Sequence, residues 1–299
     1  CRLEHVSPTS KEGRELTRRV KALLAEHGPR WAKPLADLGL VRKWEFRRGF
    51  LDRIEMSATK FAEHSTRLFA AAPTVRAARF PDASNEVGFL AACENLGRLA
   101  EIDLGRMCSC GHCPIHNDLR ALFASKHTGN LARLCVAGDR MELAGVRRLA
   151  ASQGLANLRE LDASENGWGW DGVAALAKAK HLSRLETLDL SVNEVWGRGA
   201  AELAKLTTLP ALKHLRLRSD GLDAGAVEAL ISWPQFGRLE SLDLAGNPIG
   251  AAGARALAAL PATAALKRLD VRLRHGGFGR ITEAAGRALK KRFGRGVKV

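Results

Sequence analysis

No uninterrupted apolar stretch in the 299 residues approaches the ~18 needed to cross a bilayer, so no transmembrane segment is expected. Cysteine is scarce. Six residues are far too few for a disulfide scaffold, which points to a reducing, cytoplasmic setting. Catalytic motifs are also missing: there is no G-x-S-x-G, no P-loop and no H-E-x-x-H. The glycine-rich "GNPIGAAG" from Gly246 is a turn in a repeat. No nucleophile–base set is readable, so an enzyme is not expected. The chain begins at Cys1, and its natural N-terminus is expected to be missing or processed.

The net charge of +15 invites a nucleic-acid reading. Its distribution argues against one. Residues 1–60 carry 14 Lys/Arg against 8 Asp/Glu, residues 266–299 carry 11 against 2, and the stretch between is neutral. An extended nucleic-acid surface would hold its charge along its length.

What is present is a repeat. The pattern L-x-x-L-x-L starts at Leu131, Leu158, Leu185, Leu212, Leu239 and Leu266, each 27 residues after the last. Looser copies start at Leu51, Val75 and Leu99. Alternation puts the first, fourth and sixth positions in a core and the third and fifth on the opposite face. Asn166, Asn193 and Asn247 occupy the ninth position, with Asp139 and Asp220 as substitutes. Asn there can bond neighbouring backbone where the strand ends. Leu149, Leu176, Leu203, Leu230 and Leu257 follow 18 residues after the strand starts, in settings spaced for one buried helix face.

These residues strongly resemble the leucine-rich repeat family in its longer, ribonuclease-inhibitor-like subtype, over about residues 46–299. The resemblance implies an α/β solenoid of about nine strand–helix units, a horseshoe with a parallel sheet on its concave face and helices on its convex face. A strand plus a helix cannot bury its apolar side alone, so neighbouring units must stack.

Residues 1–45 differ. "SKEGRELTRRVKALLAEHG" reads as a helix capped by Ser10 and stopped at Gly28-Pro29. "RWAKPL" and "WEFRRGFLDRIEM" resemble the bacterial repeat-companion domain, over about residues 11–72, although that family's usual opening helices are absent. The expected role is a helical N-terminal cap, with Trp44, Phe46 and Phe50 covering the end of the core.

The fifth-position column on the concave face reads Glu55, Arg79, Asp103, Cys135, Asp162, Asp189, Arg216, Asp243, Asp270. The third-position column includes Arg133, His214 and Arg268. The column is either a solvated sheet of consensus aspartates or a partner site preferring a basic or polar surface. A phosphate backbone would be repelled by it. Trp168 falls in a core register. Trp170 and Trp196 do not, and are either contact residues or packed over neighbouring turns. The C-terminal "KKRFGRGVKV" is either a basic last helical turn with a disordered tail or a contact for an anionic surface.

"CSCGHCPIH" (Cys108 to His116) lies in a five-residue expansion of one strand-to-helix loop. Cys108, Cys110, Cys113 and His116 (or His112) have the spacing of a structural zinc site. A free-thiol loop and a disulfide or redox role are the other readings. Cys93 replaces a core helix leucine and Cys135 lies on the concave face.

The expected function is therefore a non-catalytic protein–protein interaction scaffold, monomeric, binding a protein partner. Its expected contacts are Asp103, Arg133, Asp162, Asp189, His214, Arg216, Asp243, Asp270, Trp170 and Trp196. The alternative is a metal-stabilised regulatory or nucleic-acid-associated repeat module.

Overall fold

The computed structural model describes residues 10–81, 83, 86–105, 119–139, 141, 143–261, 264–273 and 279–299. The chain opens with α1 (Lys11–Ala36), capped by Ser10, whose Oγ accepts the Gly13 N–H at 2.9 Å. The helix does not stop at Gly28-Pro29. It runs on through Pro29 and Pro34. Each proline in a helix interior costs about 3 kcal/mol, and packing beyond the first one offsets this. Ala32 and Leu35 are fully buried, and Trp31 meets Phe46 edge-on at 6.1 Å.

Then come β1 (Lys43–Arg47), β2 (Phe50–Glu55), α2 (Ala58–Ala71), β3 (Ala77–Arg79), α3 (Val87–Ala92), β4 (Glu101–Asp103) and α4 (Leu119–Ala124). The regular repeats supply β5 (Arg133–Cys135), α5 (Leu143–Ala151), β6 (Glu160–Asp162), α6 (Gly169–Leu176), β7 (Thr187–Asp189) and α7 (Trp196–Leu203). They end with β8 (His214–Arg216), α8 (Ala224–Ile231), β9 (Ser241–Asp243), α9 (Gly250–Ala258), β10 (Arg268–Asp270), α10 (Glu283–Phe293) and β11 (Val297–Lys298).

All eleven strands form one open sheet in sequence order. β1 and β2 pair as an antiparallel hairpin, and every later pair is parallel. Helices alternate with the strands, as in a leucine-rich repeat solenoid. Strands stack about 4.8 Å apart and helices 8–10 Å apart, so such a stack curves with its sheet inside.

Repeat positions 1, 4 and 6 are buried as the alternation requires, for example Leu158, Leu161 and Ala163. Leu149, Leu176, Leu203, Leu230 and Leu257 are the buried helix residues facing them, and Leu122 fills this role in the expanded repeat. Trp168, Val195, Leu222 and Ile249 bury the turn before each helix.

Three local expectations are corrected. Phe50 does not cover the core: it is 62% exposed, while Trp44 and Phe46 pack against the core. Cys93 does not sit inside a helix. The helix ends at Ala92, Cys93 caps it, and Leu90 is the fully buried residue. The C-terminal residues are ordered as a strand. After α10 a single 3₁₀ turn (Gly294–Gly296) brings Val297 beside Leu269. The reason is the open edge of β10, whose backbone needs partners. Val271 N–H donates to Lys298 O at 2.8 Å. Gly296 makes the approach possible, because a Cβ there would overlap Lys267 O. Part of the basic run is used for structure too: Arg292 donates to Leu260 O and Pro261 O.

Candidate functional site

The strands place Asp103, Arg133, Asp162, Asp189, His214, Arg216, Asp243 and Asp270 on the concave face, in lateral register from β4 to β10. The aspartates have a structural use that explains their recurrence. Each accepts the backbone N–H two residues on: Asp103 from Gly105 at 3.0 Å, Asp162 from Ser164 at 3.1 Å, Asp189 from Ser191 at 3.0 Å. Asp243 and Asp270 do the same to Ala245 and Arg272. The short side chain closes the turn where the strand ends. The acidic column is thus first a row of turn caps.

Apart from Asp162, the aspartates also meet arginines, and other carboxylates of the sheet are paired in the same way. In the N-terminal half, Glu101 pairs with both Arg47 (2.8 Å) and Arg53. Arg79 bridges Glu55 and Asp103 at 3.6 and 3.8 Å, and Arg133 faces Glu160 at 3.5 Å. Burial raises the Glu101 carboxyl, but the hydrogen bond and charge of Arg47 and the charges of Arg53 and Arg133 outweigh it and hold the pKa below its usual range. Further along, Arg216 reaches Asp189 at 3.4 Å and Arg218 reaches Asp243 at 3.7 Å. Burial raises the Asp189 carboxyl, aided by Asp162 next to it. The concave face is a mostly self-neutralised sheet rather than an acidic one.

A second ladder runs along the start of the strands, at repeat position 2. Arg159, Glu186, Lys213, Glu240 and Lys267 alternate in sign. Arg159 and Lys213 both bond Glu186, and Lys267 bonds Glu240 at 3.3 Å. Aligning the sequence at 27 residues shows this alternation. Exposed pairs of this kind contribute little each, but they favour one lateral register.

Cys135 breaks the aspartate column. Its thiol sits beside Asp103 and Gly105, and burial first, then the charges of Asp162 and Asp103, push its pKa to about 12. It is held as a thiol, unsuited to nucleophilic or metal-ligand chemistry at neutral pH. Cys93 Sγ lies 3.4 Å from Ser65 Oγ. Cys108, Cys110, Cys113 and His116 lie outside the described residues. Among the described residues no three His, Cys, Asp or Glu side chains are grouped to hold a metal. No described helix is long and apolar enough to cross a membrane.

Beneath the loop edge runs a buried polar ladder. Asn193 Nδ2 donates to Ala163 O and Leu190 O, each at 2.8 Å. Its Oδ1 accepts Asn166 N–H at 3.0 Å and Trp168 N–H at 3.2 Å. Asn247 repeats this pattern toward Leu217 O, Leu244 O, Asp220 N–H and Leu222 N–H. Asn166 reaches Val136 O and Met141 N–H. Asp220 occupies the same station. Its Oδ1 accepts Asn193 N–H at 2.7 Å, and its Oδ2 has no hydrogen-bond partner. Burial pushes its pKa to about 7.

The loop edge itself is set by left-handed backbone. Repeat position 8 has positive φ in Gly138 (72°), Glu165 (58°), Val192 (59°), Ser219 (53°) and Gly246 (79°). A β-branched residue in that region is strained. Val192 is also 47% exposed, so little packing rewards it. Val192→Gly is expected to stabilise the fold by about 1 kcal/mol, since strain relief exceeds the entropy cost of glycine. A chemical denaturation midpoint below that of the parent would contradict this.

Trp196 has the same character four residues on. Its φ is 52°, where the matching residues of two other repeats are Gly169 and Gly250. Its ring lies on Gly221, where a Cβ would overlap it, and the side chain is 56% exposed. Trp170 is placed differently. It is half-buried, with the Arg198 guanidinium 3.3 Å from its ring centre. It lines a groove of about 460 Å³ between α5 and α6, together with Arg147, Ala151 and Lys178. Of the two tryptophans, Trp196 is the one whose side chain is mostly open to solvent on the loop edge.

A family model described as Leucine Rich repeat matches residues 239–258. No curated protein matches the chain in sequence. Among solved structures, the chain is similar to a protein from Bacteroides fragilis at 14% identity and a TM-score of 0.49, over 76% of this chain and 66% of that one. It is also similar to TLR13, solved in a complex with ssRNA13, at 18% identity and a TM-score of 0.39, over 74% of this chain and 35% of that one. The chain thus spans less than two thirds of the length of both structures.

Proposed function

We propose that the chain is a non-catalytic scaffold that holds a protein partner on its concave sheet and on the adjoining strand-to-helix loop edge. The observation that carries this is Trp196. A large aromatic side chain is kept more than half exposed, in a backbone conformation that two of its counterparts, Gly169 and Gly250, reach with glycine. Strain and exposed apolar area both cost stability, and a contact role accounts for both. Next to it lies an open sheet whose outward side chains are polar, in register and not enclosed.

The repeats belong, on this reading, to the ribonuclease-inhibitor-like subtype, with residues 11–72 as a repeat-companion cap and the protein acting as a cytoplasmic monomer. The cysteine cluster of the expanded loop is proposed as a structural zinc site at the same edge.

Affinity capture from the native cell lysate tests the scaffold reading, with nuclease present. A partner enriched on the parent chain is expected to fall about tenfold with Trp196→Ser, equivalent to about 1.4 kcal/mol. Aspartates of the concave column are poor test positions, because their replacement also removes a turn cap. Equal capture by parent and variant would remove Trp196 from the contact, and the absence of any specific partner would remove the scaffold reading.

A further inference from the structure

The concave sheet is not uniform along its length. From β1 to β6 every arginine on it meets a carboxylate: Arg47 and Arg53 meet Glu101, Arg79 meets Glu55 and Asp103, and Arg133 meets Glu160. At the C-terminal end, where Arg216 and Arg272 are still paired, this pairing is incomplete. Arg268 on β10 and Arg295 in the turn before β11 are exposed and have no carboxylate within ion-pair distance among the described residues. The aspartates nearby are engaged elsewhere: Asp243 by Arg218 at 3.7 Å, and Asp270 by Arg272 at 2.6 Å.

These two arginines line a single concavity of about 480 Å³ with His214, Arg216 and Lys298, and the carboxylates of Glu160, Asp243 and Asp270, each already paired with another arginine, line it too. No carboxylate stands in the third-position column from β7 to β10, which reads Thr187, His214, Ser241, Arg268. Lys298 lies 4.0 Å from Asp270, a long and weak pairing. His214 responds to this surplus. Burial first, and Arg268 next, hold its imidazole below the usual range, with Glu240 opposing, and its Nδ1 has no hydrogen-bond partner. The wall that presents Arg295 and Lys298 exists because β11 adds to β10.

We infer that this end of the concave sheet is a docking groove for an acidic, Asp/Glu-rich segment of a partner protein, received chiefly by Arg268 and Arg295. The inference rests on the scaffold reading and adds the chemistry of the partner. Free guanidinium groups at a groove of this size suit discrete carboxylates, which they can grip bidentately. A nucleic acid fits less well. Glu160, Asp243 and Asp270 line the same concavity and would face a continuous phosphate backbone, whereas a peptide can set its carboxylates only where the arginines are.

The test uses the full chain and a fluorescein-labelled peptide of alternating Glu and Ser, read by fluorescence anisotropy. A labelled oligouridylate of equal charge is the comparator. The peptide is expected to bind the parent, and to weaken as salt rises from about 50 to about 300 mM. Arg268→Gln/Arg295→Gln is expected to weaken it about tenfold or more, while Arg147→Gln on the convex side leaves it unchanged. Both replaced side chains are exposed, so folding is preserved, and a circular dichroism melt verifies it. No peptide binding by the parent, equal binding by the double variant, or tighter binding of the oligouridylate would each overturn the inference. In lysate capture, a partner lost with Trp196→Ser but retained by Arg268→Gln/Arg295→Gln would overturn the acidic groove and leave the scaffold standing.

Discussion

Asp220→Asn is expected to stabilise the protein by about 3–4 kcal/mol at pH 8 and by little at pH 4. Asp220 is fully buried in a row otherwise held by Asn166, Asn193 and Asn247. Register places its unpartnered Oδ2 where those residues hold an Nδ2 that donates to two carbonyl oxygens. By that register an ionised Oδ2 gains no hydrogen bond there, while a protonated one can donate to a carbonyl oxygen. Backbone N–H groups of Asn193, Val195 and Glu194 favour the ion but are outweighed by burial. Burial therefore raises the folded-state pKa to about 7, against about 3.9 unfolded. Between these values the folded state binds more protons, so stability falls as pH rises. About three pKa units correspond to about 4 kcal/mol. Asparagine supplies the missing donor at every pH and removes this fall. Other groups titrate in the same range, so the quantity to measure is the difference in unfolding free energy between parent and variant, by urea denaturation at several pH values. A difference that stays flat from pH 4 to 8 would mean that Asp220 is not protonated in the fold.

Asn193→Ala is expected to be the most damaging single truncation in the regular repeats, costing about 4 kcal/mol or more. One side chain satisfies four buried backbone groups, in Ala163, Leu190, Asn166 and Trp168. Each buried group left without a partner costs about 1–3 kcal/mol, and alanine replaces none of the bonds. In a linear repeat array, stability is carried by each unit and its interfaces with neighbours. The Asn193 side chain ties two consecutive repeats in the middle of the array, so its loss weakens the middle of the stack. The expected denaturation curve is broadened or split. Asn157→Ala provides the contrast, since that exposed side chain bonds only Gly129 O and Arg184. Its expected cost is below about 1 kcal/mol. Similar losses for the two variants would deny the ladder its role.

The strands, helices and core positions were legible because a strict 27-residue period aligns them. Leu158, Leu161 and Ala163 needed only strand alternation, and the ninth-position asparagines needed only the knowledge that Asn bonds backbone at strand ends. The features that escaped depend on contacts the period does not encode. α1 passes two prolines because Trp31, Ala32 and Leu35 have somewhere to pack, which becomes visible only once the hairpin is in place. β11 consists of two residues, and it forms because β10 leaves an open edge and Gly296 allows close approach. The turn-capping use of Asp162 or Asp189 was readable in principle from the short residue two places on. The concave face looked acidic because the column was counted without its cross-strand arginines. With those pairs formed, the free charge left at its C-terminal end is positive.

Cross-linking mass spectrometry on a captured complex tests the central claim most directly, using an amine-reactive reagent. If the partner lies on the concave sheet with its acidic segment at the C-terminal groove, its cross-links come from Lys213, Lys267 and Lys298. Cross-links confined to Lys178, Lys205, Lys290 and Lys291, on or beside the convex helices, would place the partner on the opposite side and contradict the account.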